Sequence, residues 1–325
     1  MINILKEIEQ GNPKNFYLFY GEEDYLKNHY VNELKKKFIP EEFSDMNFNI
    51  FEENADAIIN CVMSLPFMNE YRLVIIKESG FFYSGKKNET ELILKYIDDF
   101  PKSSIIIFCE SKIDKRNKLY KKICDVGLAS EIKKPIDKEL VKWIIKICKV
   151  NKKIISPENA LLILKITMGN MEFLKNELGK LINYCSEEIN SEQINLLCTK
   201  SVDAKIFDLV ANMGNKNLKL ALESYNNLIF LKEQPLMILA MISRQFVLIL
   251  QSKIFSNSGL DSSSIAQKLG TRSFVISDCL RQSKNFSSDK LICAIKDCLD
   301  VDYKVKTGQL SDKLAVETLI MKYSA

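Results

Sequence analysis

The chain has 325 residues, 46% of them apolar and 27% charged, which is enough length for two or three domains and the ordinary balance of a folded chain. No run of about 18 apolar residues is present that would cross a membrane. The net charge of +4 sits entirely in residues 201–325, with 16 basic against 12 acidic side chains, a surplus too small for a free-standing nucleic-acid binder.

The N-terminus, Met-Ile-Asn-Ile-Leu-Lys-Glu, lacks the layout of a signal peptide, so a cytoplasmic protein is expected. Nine cysteines never form a Cys-x-x-Cys pair and mostly fall inside apolar periodicities. They read as small hydrophobes in a reducing compartment, with no metal or disulfide role. The only histidine, His29, rules out multi-histidine metal sites, and its place among charged residues of a helix argues against catalysis.

Residues 16–20, Phe-Tyr-Leu-Phe-Tyr, form an apolar run that predicts a strand, and 22–38 read as a helix. A strand, a glycine and a helix invite comparison with a phosphate-binding loop. Tyr20-Gly21-Glu22-Glu23-Asp24-Tyr25-Leu26 fails it, with one glycine, no lysine before Lys27 and three carboxylates where phosphates would sit. Those acids suit a helix N-terminus and would repel a triphosphate. Nor does the strand at 73–76 end on paired acids for a metal; Lys77-Glu78 follow it. ATP hydrolysis by the chain is not expected.

After a short strand at 48–51, Ile58, Cys61, Val62 and Leu65 mark the apolar face of a helix that Pro66 closes. The continuous apolar strand 73–76 comes next. Leu65, Phe67 and Met68 thereby fall on a connector whose tip would normally be polar. Two readings stand for them, folding back onto the core or contacting a partner through an exposed apolar tip. A helix at 89–98, a β-branched strand at 105–108, a basic helix at 115–124 and a strand at 129–132 complete five β-α steps. Such alternation predicts a parallel sheet covered on both faces.

From about 137 the strands are expected to stop. Leu140, Val141, Ile144, Ile145 and Cys148 give an amphipathic helix, and Ser156-Pro157 starts another with an N-cap and a first-turn proline. Leu174, Leu178, Leu181 and Cys185 mark a third, with Glu177 and Lys180 expected to pair on its exposed side. Beyond Asp203 every segment reads as helical. Phe207, Val210 and Ala211 line one helix, Ala221, Leu222, Tyr225 and Ile229 the next, and Leu239, Ile242, Phe246 and Ile249 a long one after Pro235. Residues 264–270, with Val275, Ile276 and Cys279, copy the spacing of a helix-turn-helix whose second helix offers Arg272, Arg281 and Gln282. Packing is the favoured role for that pair. Gly308 supplies a left-handed cap between the last two helices.

Several segments, in this order and spacing, resemble the delta subunit of the bacterial DNA polymerase III clamp loader. They are Leu18-Phe19-Tyr20-Gly21-Glu22-Glu23-Asp24, Ser64-Leu65-Pro66-Phe67 ahead of Arg72-Leu73-Val74-Ile75, Asn176-Glu177-Leu178 with Lys180-Leu181, Ile206-Phe207-Asp208-Leu209, Arg244-Gln245-Phe246 and Tyr303-Lys304-Val305-Lys306-Thr307-Gly308-Gln309. The resemblance covers essentially the whole chain. It implies an α/β plus all-α protein: a degenerate AAA+-like domain with a parallel five-stranded sheet (1–137), a small helical lid (138–200) and a helical collar (201–325) that joins a ring of five. It implies a subunit without catalysis, cofactor or metal, within an assembly that has DNA polymerase activity. Its implied partners are the sliding clamp (the beta subunit), the gamma/tau ATPase subunits, delta-prime, and primed DNA in the assembled loader, with no membrane. The family's clamp-contacting hydrophobic pair maps onto Leu65 and Phe67, flanking Pro66, with Met63 or Met68 completing the contact. Two other functions compete, a helix-turn-helix DNA-binding regulator and an active AAA+ ATPase.

Overall fold

The computed structural model describes residues 11–324; the N-terminal stretch read for a signal peptide lies outside them. The chain divides into two compact units, 1–134 and 135–325.

The first unit runs β1 (Phe16–Tyr20), α1 (Asp24–Phe38), α2 (Ser44–Asn47), β2 (Phe48–Phe51), α3 (Ala55–Met63), β3 (Arg72–Lys77), α4 (Lys87–Tyr96), β4 (Ser104–Glu110), α5 (Lys118–Val126) and β5 (Leu128–Glu131). The strands form one parallel sheet in the order β2-β3-β4-β1-β5. β1 lies inside the sheet, with Leu18 opposite Phe108 of β4 and Ala129 of β5, which is why all five of its residues are buried. Alternate side chains point to opposite faces. Phe16, Leu18 and Tyr20 join Val74, Ile76, Ile106 and Phe108 in a core covered by Ile58, Ile59 and Val62 of α3, Ile93 of α4 and Leu119 and Ile123 of α5. On the other face Phe19 meets Tyr30 of α1 at 5.8 Å between ring centroids. The parallel sheet covered on both faces agrees with the sequence. α1 starts two residues later than expected, leaving Glu22 and Glu23 in the turn.

The second unit contains α6 (Asp137–Val150), β6 (Ile154–Ile155), α7 (Pro157–Ile166), α8 (Met171–Tyr184), β7 (Glu188–Ile189), α9 (Ser191–Leu197), α10 (Val202–Gly214), α11 (Leu218–Phe230), α12 (Pro235–Asn257), α13 (Ser262–Leu269), α14 (Ser273–Gln282), α15 (Ser288–Lys306) and α16 (Asp312–Ser324). The strands therefore do not stop at 137. β6 and β7 pair in parallel over two residues, a bridge too short to leave a periodicity. Ser156 caps α7 as expected, its side chain accepting from the Asn159 amide. The Glu177–Lys180 pair forms at 2.5 Å, between an exposed Lys180 and a Glu177 that is buried contrary to expectation. Glu177 is buried because its carboxylate also accepts from the Thr199 backbone N–H. On α10 the buried side is Ile206, Leu209, Val210 and Met213, with Phe207 and Ala211 only half-buried beside it. α12 alone among the described helices is long and apolar enough to cross a membrane. No such stretch is expected from the sequence; one face of this helix, Ile238, Leu239, Ile242, Phe246 and Ile249, is buried within this unit, and Met237 and Ile254 of the same helix are exposed.

Candidate functional site at the tip between α3 and β3

α3 begins at Asn54, whose side chain accepts from the Ala57 amide at 3.1 Å, a standard satisfaction of a free helix N–H. Ala55, Ile58, Ile59 and Val62 form its buried face, and the Ser104 hydroxyl donates to the Val62 carbonyl at 2.7 Å. The helix ends at Met63, where Ser64 turns extended (φ −73°, ψ 135°). Leu65 therefore lies beyond the helix and does not extend its apolar face, although its spacing fits. The last turn closes with the Ser64 N–H on the Cys61 carbonyl; Pro66 has no N–H to give the Val62 carbonyl, which accepts from Ser104 instead.

The five residues singled out by sequence are presented together. Leu65 is 78% exposed, Met68 73%, Phe67 47% and Met63 42%, with Pro66 half-buried between them. The core-packing reading of Leu65, Phe67 and Met68 is at odds with these exposures. The backbone beneath them is fixed. Asn47, fully buried at the end of α2, donates to the Phe67 carbonyl at 2.8 Å and accepts from the Phe67 N–H at 2.7 Å. The Arg72 guanidinium donates to the Leu65 carbonyl at 3.1 Å. Asn69 donates to the carbonyls of Phe38 (3.0 Å) and Tyr71 (2.6 Å), and Met68 takes a left-handed conformation at φ 47°. The arrangement is an apolar tip on a pinned loop, without a nucleophile or acid-base pair. What it can do chemically is enter an apolar pocket, at about 1.5–3 kcal/mol for each large side chain fully buried. Sequence reasoning did not find Asn47 and Asn69; an asparagine directly before a strand was the faint signal.

At the position of the tested phosphate loop, Gly21 stands at φ 127° with an added Cβ 2.4 Å from the Ile132 carbonyl oxygen. That close approach requires glycine at this position, but the turn offers only the one, followed by the carboxylates of Glu22, Glu23 and Asp24. Lys27 is buried, its ammonium 2.8 Å from Asp24 and donating to the Glu110 carbonyl at 3.2 Å. Burial raises the Glu110 carboxyl above its ordinary value even though Ser79 donates to it from both N–H (3.0 Å) and hydroxyl (2.5 Å). Burial likewise pushes the neighbouring Cys109 thiol up to about 12. A cleft of about 450 Å³ opens beside Gly21. Lys115 in it lies 3.2 Å from Glu131, and Lys134 3.7 Å from Glu22.

The helix-turn-helix candidates are α13 and α14. Arg272 is turned inward, donating to the carbonyls of Pro135, Met168 and Gly169 and to Asp137 at 3.2 Å. Gln282 is buried and donates to the Phe207 carbonyl. Arg281 is exposed and pairs with Asp278 at 2.9 Å. Two of the three base-reading candidates are thus occupied in packing. His29 is half-buried, its ring 6.4 Å from that of Tyr25. All nine cysteines are free; five are buried, whereas Cys124 and Cys293 are exposed. Among the described residues no cluster of His, Cys, Asp and Glu could hold a metal ion.

Residues 17–129 match the model of a family described as DNA polymerase III, delta subunit, and residues 203–323 match that of the DNA polymerase III delta subunit, C-terminal domain. DNA polymerase III subunit delta of Bacillus subtilis (strain 168) is 28% identical over 334 residues, spanning 99% of this chain and 96% of that protein. The probable DNA polymerase III subunit delta of Aquifex aeolicus (strain VF5) is 23% identical over 266 residues, spanning 79% and 75%. Among solved structures, the Bacillus subtilis DNA clamp loader delta protein (YqeN) superposes with a TM-score of 0.72 at 27% identity, covering 99% of both chains.

Proposed function

The chain belongs to the DNA polymerase III delta subunit family, and from that premise we propose that it binds the sliding clamp and holds one interface of the clamp ring open for loading onto primed DNA. The observation that carries this reading is the tip, where Leu65 and Phe67 stand in solvent on a backbone held by Asn47, Arg72 and Asn69. An interface anchor of this kind gains by insertion into an apolar pocket, and fixing the loop beforehand removes part of the ordering cost of binding. Pro66 stiffens the step between the two anchors, and Met63 or Met68 completes the apolar surface.

In the proposed assembly residues 1–137 carry the clamp contact, 138–200 form a lid and 201–325 form the collar of a five-membered ring with gamma/tau and delta-prime. The chain acts in the cytoplasm, without a cofactor or catalysis of its own. Its ATPase partners supply the energy. The carboxylates at Glu22 and Asp24, and the pairing of Lys27 with Asp24, support that division of labour.

Gel filtration of the purified chain mixed with the sliding clamp of the same organism tests the reading. Co-elution of the two proteins is expected, and separate elution at micromolar concentrations of each would refute it.

A further inference from the structure

Asn47 makes a pattern of contacts that its position in the sequence does not require. Its carboxamide is fully buried. The oxygen accepts from the Phe67 N–H at 2.7 Å, and the nitrogen donates to the Phe67 carbonyl at 2.8 Å and to the Phe43 carbonyl at 3.2 Å. One side chain thus pairs both polar groups of a single residue 20 positions away, as a neighbouring strand would. Both amide donors are used, so the group is held as firmly as it holds. The next residue, Met68, sits at φ 47°, a conformation that persists in a non-glycine residue when its surroundings over-determine it. The Phe67 ring meanwhile contributes to the exposed tip.

We infer that Asn47 is a positioning residue for the clamp contact: by pairing the Phe67 peptide on both sides, it aims the Phe67 ring outward before the partner arrives. This rests on the proposed clamp-binding role of the tip. Asn47 itself stays inside the chain and touches no partner. Its loss converts a pre-ordered peptide into one that must be ordered on binding, which weakens association by about tenfold.

The test uses the full-length chain with Asn47→Ala and, as a near-isosteric change that keeps the acceptor for the Phe67 N–H, Asn47→Asp. Melting temperature, hydrogen exchange of the Phe67 amide and affinity for the purified sliding clamp are measured on each, with and without Phe67→Ala. Asn47→Ala is expected to accelerate Phe67 amide exchange and weaken clamp binding by about tenfold, and Asn47→Asp to leave Phe67 amide exchange slow. In the Phe67→Ala background the Asn47→Ala change is expected to have no further effect on affinity, an outcome that a general loss of stability would not produce. Should Asn47→Ala fail to fold, Asn47→Ser takes its place, since its uncharged hydroxyl is too short to pair both polar groups of Phe67 and binding should still weaken several-fold. Unchanged affinity despite faster exchange, or an equal loss with and without Phe67, overturns the assignment. A wild-type chain that does not bind the clamp overturns the proposed function first, and the assignment with it.

Discussion

Truncating the tip should separate binding from folding. In the double variant Leu65→Ala and Phe67→Ala, the surface available to a partner is the part now in water, 78% of Leu65 and 47% of Phe67. Scaling the roughly 1.5–3 kcal/mol of full burial by those fractions gives about 2 kcal/mol for Leu65 and about 1 kcal/mol for Phe67. A combined loss of about 3 kcal/mol is about two orders of magnitude in Kd. The same fractions predict the effect on folding. Leu65 contributes little, and the hidden half of the Phe67 ring about 1 kcal/mol, so the melting temperature should fall by no more than a few degrees. Surface plasmon resonance against immobilised clamp and a thermal melt on the same preparation supply both numbers. If clamp affinity held while the melting temperature collapsed, the tip would be core and the reasoning would be wrong.

MgATP titrated calorimetrically into the purified chain should give no binding, because Glu22, Glu23 and Asp24 stand where phosphates would sit and the ammonium of Lys27 is occupied by Asp24; micromolar binding near one equivalent contradicts this. Burial holds the Glu110 carboxyl above its ordinary 4.5, so folding favours its protonated form. That contribution is complete below the unfolded value and is lost as pH rises through the folded one. Glu110→Gln keeps an oxygen for Ser79 to donate to, and its melting temperature should gain on the wild type as pH rises from 4.5 towards neutrality; a difference independent of pH would show that burial of this carboxyl does not matter. Gly169→Ala places a Cβ 2.1 Å from the Arg272 Nε at φ 68°, whereas Gly308→Ala meets open space at φ 75°. Backbone strain alone costs about 1–2 kcal/mol at either position. The first variant should therefore melt lower than the second, and equal melting temperatures would mean that the crowding against Arg272 is relieved without cost.

The strands of the first unit were legible because β1, β3 and β4 are continuous apolar runs buried on both faces, a pattern set by neighbouring residues alone. The tip residues were legible for a similar reason, a proline between a helix and a strand. Their exposure was not. Leu65 lies four residues after Cys61 and fits the helix face; what removes it is the extended backbone at Ser64, which hydropathy does not register, while the hydrogen bonds from Asn47 and Arg72 then fix the loop that follows. One charged side chain misled in the same way. Glu177 reads as a surface acid, yet the Thr199 N–H needs an acceptor beneath the surface. Arg272 takes the favoured packing role, with three carbonyls of the surrounding turns claiming its guanidinium.

The position of β1 within its sheet also governs how the protein is made. Phe16 pairs with Ile106, and Tyr17 with Leu128, so neither edge of the first strand can be covered until about 90 residues more have left the ribosome. At about 5–20 residues per second that is roughly 5 to 20 seconds. During that interval Phe-Tyr-Leu-Phe-Tyr, which is uncharged, aromatic and rich in β-propensity, has the composition of an aggregation-prone segment. Its late partners also place the first unit among slow-closing topologies. Nascent chains that stop before residue 104 should therefore depend on chaperones, and synthesis that slows between β1 and β4 should lower the soluble yield.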